Sequence, residues 1–487
     1  MHRSNFGERR FTVARGLLLL SICLSGLAVG GAAEPAGWKP SRPNIVVIET
    51  DDQRADDLRA MPNVGRLLAA QGTSFLNSFV ANSLCCPSRA TFLTGQYSHN
   101  NGVWNNAPPQ GGWEALRPTQ GNTLPAWLQE VGYATIEIGK YLNRYGKARR
   151  TEVPQGWTDW HGAVGNSAYR YTDFRLNENG RLVTYHGVYQ TDLYAQKAIS
   201  LINRYSAGGQ PFFLWLTFTA PHTGDTRDPN DPVDFSTPSP APRDRNRFAR
   251  LPLPKPPSYN EADVSDKPRY IQRQPLIDAD TEAKIQESHQ QRLESLLSVD
   301  RAVARIVASL EGAHTLENTL IVFTSDNGYL EGEHRITSGM QLAYEPSIRV
   351  PLIMRGPGVP AHRVVRTLVS NVDLAPTFVD VAGARAHRLL DGRSLIPLLR
   401  NPDLRWSRDL LIESPLGSPE RAFTAIRTDR YLWIEYTEQG ARELYDLARD
   451  PYELTSLHTD PAFASVRETL AQKLERLRSC RGPTCRA

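Results

Sequence analysis

Four runs of apolar, β-branched and aromatic residues recur along the chain, and each ends in polar residues. They read "PNIVVIETDD" (43–52), "GYATIEIGKYLN" (132–143), "PFFLWLTFTAPH" (211–222) and "NTLIVFTSDNG" (318–328). Continuous short apolar runs bounded by turn residues predict strands buried on both faces. Helical patterns lie between them: "MPNVGRLLAAQG", "TLPAWLQEVG", and a long stretch over 282–310 with Leu293, Leu296, Leu297, Val303 and Ile306 at helical spacing. Strands alternating with helices predict an α/β fold, a large mostly parallel sheet sandwiched by helices. The tail differs. "RAFTAIRTDRYLWIEYTE" predicts two strands across a turn at Thr428–Asp429, and a terminal helix follows over 463–478. We expect an α/β domain over 43–400 and a smaller C-terminal subdomain, built on an antiparallel sheet, over 401–487. Residues 224–268 are rich in Pro and Asp and predict a long loop covering a site. No internal repeat is visible.

The N-terminus changes the picture of where the protein works. Arg3, Arg9, Arg10 and Arg15 precede "GLLLLSICLSGLAVGGAA". A basic region followed by a short apolar run and small residues predicts a cleaved export signal over 1–33, with a linker over 34–42. Arg9–Arg10 also fits a twin-arginine signal. Lipid attachment at Cys23 is disfavoured by the bulky Ile22 before it. No later run is long enough to span a membrane, so we expect a secreted or cell-envelope protein with no stable membrane span.

Export permits disulfides. Of five cysteines, maturation leaves Cys85, Cys86, Cys480 and Cys485. "CRGPTC" suits a local Cys480–Cys485 disulfide; a metal hook is the alternative, but no nearby His or third Cys supports it. The adjacent Cys85 and Cys86 are poorly placed to bridge each other. With 40% hydrophobic and 22% charged residues the 487-residue chain is ordinary globular material. A net charge of +4 without a clustered basic stripe argues against nucleic acid as partner. It is compatible with an anionic substrate.

In open α/β sheets, ligands sit beyond the carboxyl ends of the strands. The residues there are Asp51 and Asp52, Lys140, His222, and Asp326 and Asn327. Each has a bland reading as a cap, turn or loop residue. Together they deliver carboxylates, an amide, a lysine and a histidine to one edge. Clustered carboxylates need a cation, and an oxygen-rich set with an amide suits Ca²⁺, with Mg²⁺ second. "CCPSRATFLTG" adds a helix start: Pro87 suits the first turn. Cys85 then lies at the helix N-terminus, where an anion is favoured, and Arg89 points back from one turn on.

The run Cys85-Cys86-Pro87-Ser88-Arg89, continued by Leu93-Thr94-Gly95, resembles the signature of type I sulfatases in the alkaline-phosphatase superfamily. The resemblance extends through "PNIVVIETDDQ", "GKYLNRYG", "APH", "SDNG", "GEHR", "YEPSIRVPLI", "DLAPTFVDVAG", "DGRSLIPLL" and "LYDLARDPYEL". "GKYLN", "CCPSR" and "YNEADVSDKP" are similar to the N-acetylglucosamine-6-sulfatase branch. It implies an alkaline-phosphatase-like fold and hydrolysis of a sulfate ester, of a sulfated saccharide or an aryl sulfate. It further implies that Cys85 is converted to formylglycine by a separate formylglycine-generating enzyme. In that reading Asp51, Asp52, Asp326, Asn327 and the modified Cys85 hold the metal. Arg89 holds the modified residue, Asp326 takes a proton, and Lys140 and His222 face the sulfate.

Two positions depart from the family pattern: Leu142 stands where a histidine is common, and Met340 where a lysine is usual. His334 or Arg335 is the expected substitute for that lysine at the substrate. Two alternatives follow from the same residues, a phosphodiesterase or phosphonate hydrolase of the superfamily and a sulfated-glycan binding protein without turnover.

Overall fold

The computed structural model describes residues 42–486, apart from 226, 230, 402–403, 415–418 and 438–439. The expected export signal, most of the linker and Cys23 lie outside the described residues. Four central strands, β1 (Asn44–Thr50), β2 (Ala134–Gly139), β3 (Phe212–Thr217) and β4 (Thr319–Ser325), match the four apolar runs. They pair in parallel in the order β4-β1-β3-β2, with Asp159–Ala163 added in parallel beyond β2. Antiparallel strands widen both edges, giving ten strands in all. The expected mostly parallel sheet is therefore mixed at its margins.

Side chains of β1 alternate between two cores. Ile45 and Val47 join Phe213, Trp215, Leu320 and Val322 on one face. Val46 and Ile48 join Leu214, Leu216, Ile321 and Phe323 on the other. Both faces need helical cover, which explains why these strands are apolar throughout. The first face takes α1 (Cys85–Thr94) and the Leu124–Glu130 helix; the second takes α2 (Gln190–Gly208) and α3 (Ala279–Gly312). α3 buries Leu293, Leu296, Val303 and Ile306, four of the residues whose spacing predicted it.

A separate antiparallel sheet orders Leu410–Ser414, Phe423–Arg427, Tyr431–Tyr436 and Arg442–Asp446 as a meander. One face packs on α4 (Ala464–Arg478) through Leu411, Ile426, Trp433, Leu470 and Leu474. The other packs on Phe79, Tyr344 and Ile348 of the main body. Cys480 and Cys485 are joined by a disulfide. The 224–268 stretch, where described, contains no helix or strand but is tied down, with Phe248 N–H donating to Glu294 of α3 and Arg245 paired to Asp228.

Candidate active site

Strand register brings the chemistry to one edge. Thr50 pairs with Ser325, Glu49 with Thr217, and Gly139 with Thr217. Asp51–Asp52, Asp326–Asn327 and Lys140 therefore leave the sheet side by side, with His222 following β3. Gly139 makes one of these exits possible. Its φ is +122°, and a Cβ there would stand 2.0 Å from the Thr217 carbonyl oxygen. Only glycine accepts that conformation and that approach.

α1 supplies the facing wall. Leu84 is extended and offers no capping side chain; Asn106 Oδ1 accepts the Cys86 N–H at 2.9 Å instead. The helix stops at Gly95, which is left-handed. Phe92 stacks on Trp215 of β3 at 4.8 Å, a contact worth about 0.5–1.5 kcal/mol beyond its buried area. Trp215 Nε1 donates to Glu49 at 3.1 Å. The helix start is thereby held against the strand ends.

Cys85 Sγ lies 3.6 Å from Asp51 Oδ1. One oxygen each of Asp51 and Asp52, the Cys85 sulfur and a ring nitrogen of His222 lie within 4.8 Å of one another. Asp51 also pairs with Lys140 Nζ, and Arg89 Nη2 stands 3.6 Å from it. Arg89 reaches Asp326 Oδ2 at 2.8 Å and Glu49 at 3.4 Å. Asp326 Oδ1 accepts the Asp52 N–H at 3.1 Å. Asn327 Nδ2 donates to Asp52 Oδ1 at 2.7 Å. Among these residues only His222 reaches solvent appreciably; its side chain is 18% exposed. Its Nδ1 donates to the Thr223 carbonyl at 2.6 Å, leaving Nε2, 3.7 Å from Asp52, to face the cluster.

Charge in this pocket is unbalanced. Four buried carboxylates (Glu49, Asp51, Asp52, Asp326) face two full cations, Arg89 and Lys140. Burial, with repulsion from Asp51, pushes the Asp326 and Glu49 carboxyls up. Burial also raises Asp52. Burial works against Asp51 too, but Lys140, His222 and Arg89 outweigh it and hold the group at about 2. Asn327 Oδ1 is buried without a hydrogen-bond partner. An orphaned amide oxygen beside crowded carboxylates is the donor set of a hard divalent cation, so these residues fit Ca²⁺. Burial drives the Cys85 thiol well above its ordinary value. Burial thus disfavours the free thiolate, the form a sulfur nucleophile needs.

The structure brings together Cys85, Arg89, Asp51, Asp52, Asp326, Asn327, Lys140 and His222. It does not bring Arg335 to them. That guanidinium donates to the carbonyls of Glu261, Ala262 and Gln274, which ties down the end of the 224–268 loop. His334 Nδ1 is paired to Glu261 at 2.6 Å, and its ring stacks on Tyr344. Met340 is half-buried near the helix entry: Gln341 N–H donates to the Ser83 carbonyl at 3.0 Å. Cys86 packs in the apolar core.

Three residues escape the strand-end reading. Glu49 sits inside an apolar run, itself a signal, since an unpaired acid is rarely buried. Tyr169 places its ring 4.9 Å below Lys140 Nζ and 4.8 Å from the His222 ring. Arg292 of α3 donates to the Asp52 and Pro221 carbonyls. Neither of the last two has a local sequence signal.

A family model described as sulfatase matches residues 43–384, and one described as N-sulphoglucosamine sulphohydrolase, C-terminal, matches 332–480. An arylsulfatase of Volvox carteri is 34% identical, over 96% of this chain and 79% of its own length. The N-acetylglucosamine-6-sulfatase of Homo sapiens is 32% identical, over 96% of this chain and 90% of its own. Among solved structures, BT4656 in complex with its substrate D-glucosamine-2-N,6-O-disulfate superposes with a TM-score of 0.74 at 27% identity. That match covers 90% of this chain and 97% of that one.

Proposed function

The chain belongs to the sulfatase family, and we propose that it is an exported enzyme that hydrolyses a sulfate ester of a sulfated sugar, with an N-acetylglucosamine 6-sulfate unit as first candidate. The observation that carries this reading is the convergence of Cys85, Asp51, Asp52 and His222 at the start of α1. The relatives named N-acetylglucosamine-6-sulfatase support the choice of sugar. In this reading residues 1–33 are the export signal, 43–400 the catalytic domain and 401–487 the C-terminal subdomain.

Asp51, Asp52, Asp326 and Asn327 would hold Ca²⁺, and position 85 would carry a formylglycine. Bound there, the ion supplies positive charge that polarises a sulfate ester, and the hydrated aldehyde supplies an oxygen nucleophile. The chain's own residues do the rest. Arg89 fixes Asp326 by the 2.8 Å pair, and Asp326 is assigned to accept a proton from position 85. Lys140 offers its ammonium to a sulfate oxygen. His222, its Nδ1 fixed by Thr223, presents Nε2 to protonate the leaving alcohol. The partial exposure of His222 marks the side from which substrate enters.

Mass spectrometry of the tryptic peptide containing Cys85, from protein made in its native host, tests the modification. Sulfate release from an aryl sulfate and from N-acetylglucosamine 6-sulfate tests the reaction. An unmodified thiol with no sulfate release overturns the proposal. Faster turnover of an aryl phosphodiester than of an aryl sulfate replaces it with the phosphodiesterase reading.

A further inference from the structure

A cavity of about 430 Å³ that the proposed reaction does not use opens on the segment flanking Tyr169. Lys147, Arg150, Arg170 and Arg175 line it, together with Ser167 and Asp173. Among the described residues, Lys147, Arg150 and Arg175 have no side-chain ion pair or hydrogen bond. Arg170 has only a loose contact, 3.9 Å, with the exposed Asp225. The single lining carboxylate, Asp173, is engaged by His186 at 3.1 Å. Three unpaired cations around one concavity repel one another, and a folded chain keeps them there without internal compensation. Such a surface concentrates anions.

The cavity is coupled to the site by the chain itself. Tyr169 lies between lining residues Ser167 and Arg170, and its ring touches both Lys140 and His222. Its hydroxyl accepts from Asn143 at 2.8 Å. Tyr169 thus links the segment that lines the cavity to two side chains of the reacting centre. No Phe, Tyr or Trp lines the cavity. It therefore lacks the stacking platform that nucleic-acid grooves use.

We propose that this cavity is a second anion subsite, which takes the sulfate or carboxylate of a neighbouring sugar and makes a polyanionic saccharide chain the preferred substrate. The inference deepens the proposed function and rests on it for the reaction, but not for the binding. Wild type and the triple variant Lys147→Gln/Arg150→Gln/Arg175→Gln are compared on an aryl sulfate and on a fully sulfated heparin tetrasaccharide. Binding of the tetrasaccharide and of its desulfated counterpart is measured separately, by calorimetry on Cys85→Ala protein with and without the triple change.

Loss of three exposed charge contacts predicts about a ten-fold fall in the tetrasaccharide-to-aryl-sulfate ratio of kcat/KM. Binding weakens by a similar factor, and weakens further with salt. The variant with Arg150 and Arg175 changed to Lys, which keeps the charge, recovers most of the binding. An unchanged ratio and unchanged binding overturn the subsite, as does equal affinity for the desulfated chain or for single-stranded DNA of matched charge. Failure of wild type to release sulfate from either substrate, with charge-dependent tetrasaccharide binding intact, sinks the proposed reaction and leaves the subsite standing.

Discussion

Arg89 Nε and Asp326 Oδ2 lie 2.8 Å apart, and neither side chain is exposed to solvent. Arg89 also stands near Glu49 and Asp51. It is the central cation of a buried acidic cluster. Removing one partner of a buried pair leaves uncompensated charge and costs about 3–5 kcal/mol. Arg89→Ala is expected to lose that much stability in urea unfolding, together with its activity. Arg89→Lys keeps the charge but loses the fork that spans three carboxylates, so it recovers stability only in part. An unfolding midpoint that stays at the wild-type value in Arg89→Ala excludes this account.

The two adjacent cysteines are expected to behave oppositely. Cys85→Ala removes the group at the centre of the cluster and lowers turnover by about a thousand-fold or more. Cys86→Ala opens a small gap in an apolar core and costs about 1 kcal/mol of stability, with turnover within a few-fold of wild type. Equal losses of activity in the two variants, assayed on material of matched Tm, contradict the assignment.

Gly139→Ala forces a Cβ toward the Thr217 carbonyl and places alanine at φ +122°. Backbone strain of this kind costs about 1–3 kcal/mol. Because Lys140 is the next residue, the loss of activity is expected to exceed what the Tm shift explains. Wild-type kcat/KM in a destabilised Gly139→Ala protein speaks against a role for this exit in placing Lys140.

Charge imbalance around Asp51, Asp52 and Asp326 predicts that calcium stabilises the fold. Addition of a chelator is expected to lower Tm, and Ca²⁺ in excess to restore it, by the mass-action linkage of a ligand that binds only the folded state. Asp52→Asn is expected to shrink that shift. A Tm indifferent to chelator and to added Ca²⁺ removes the ion from the proposal.

A pH prediction arises away from the site. His99 Nδ1 faces Glu413 at 3.0 Å and Nε2 faces the Cys480 carbonyl at 2.9 Å. Glu413 and the Cys480 carbonyl only accept and so favour a proton on each nitrogen, against Asn100 Nδ2, a donor that stands 3.1 Å from Nε2. Burial opposes the charge, but Glu413 and then the Cys480 carbonyl outweigh it, and the folded group titrates above the ordinary histidine value. A group raised in the folded state stabilises fully below its unfolded pKa and loses that contribution as pH rises through the folded one. The Tm gap between wild type and His99→Gln should therefore narrow as pH climbs from about 6.5 upward. A gap that widens toward alkaline pH refutes the charged state.

Strand ends were legible because apolar runs that stop in Asp, Lys or His mark both the strand and the edge where its chemistry emerges. The hairpin Phe174–Glu178 and Arg181–Tyr185 was not anticipated, although Asn179–Gly180 between alternating residues is a hairpin signal. Asp159–Ala163, "DWHGA", has no strand-like pattern and is a strand only because β2 offers it a free edge. Tyr169 and Arg292 join the site across large gaps in sequence, which no local pattern encodes. The acceptors of Arg335, three main-chain carbonyls of 261–274, were equally invisible, since nearness in sequence to the departure at Met340 does not say where a guanidinium finds its acceptors.

Cys85 is 2% exposed, roofed by its own helix and floored by strand ends. No protein-sized catalyst could close around that sulfur in the finished molecule. If position 85 is modified as proposed, the modifying enzyme would have to meet the residue before α1 docks. Packing would then set the order of events in biosynthesis: a chain that folds first would keep its thiol.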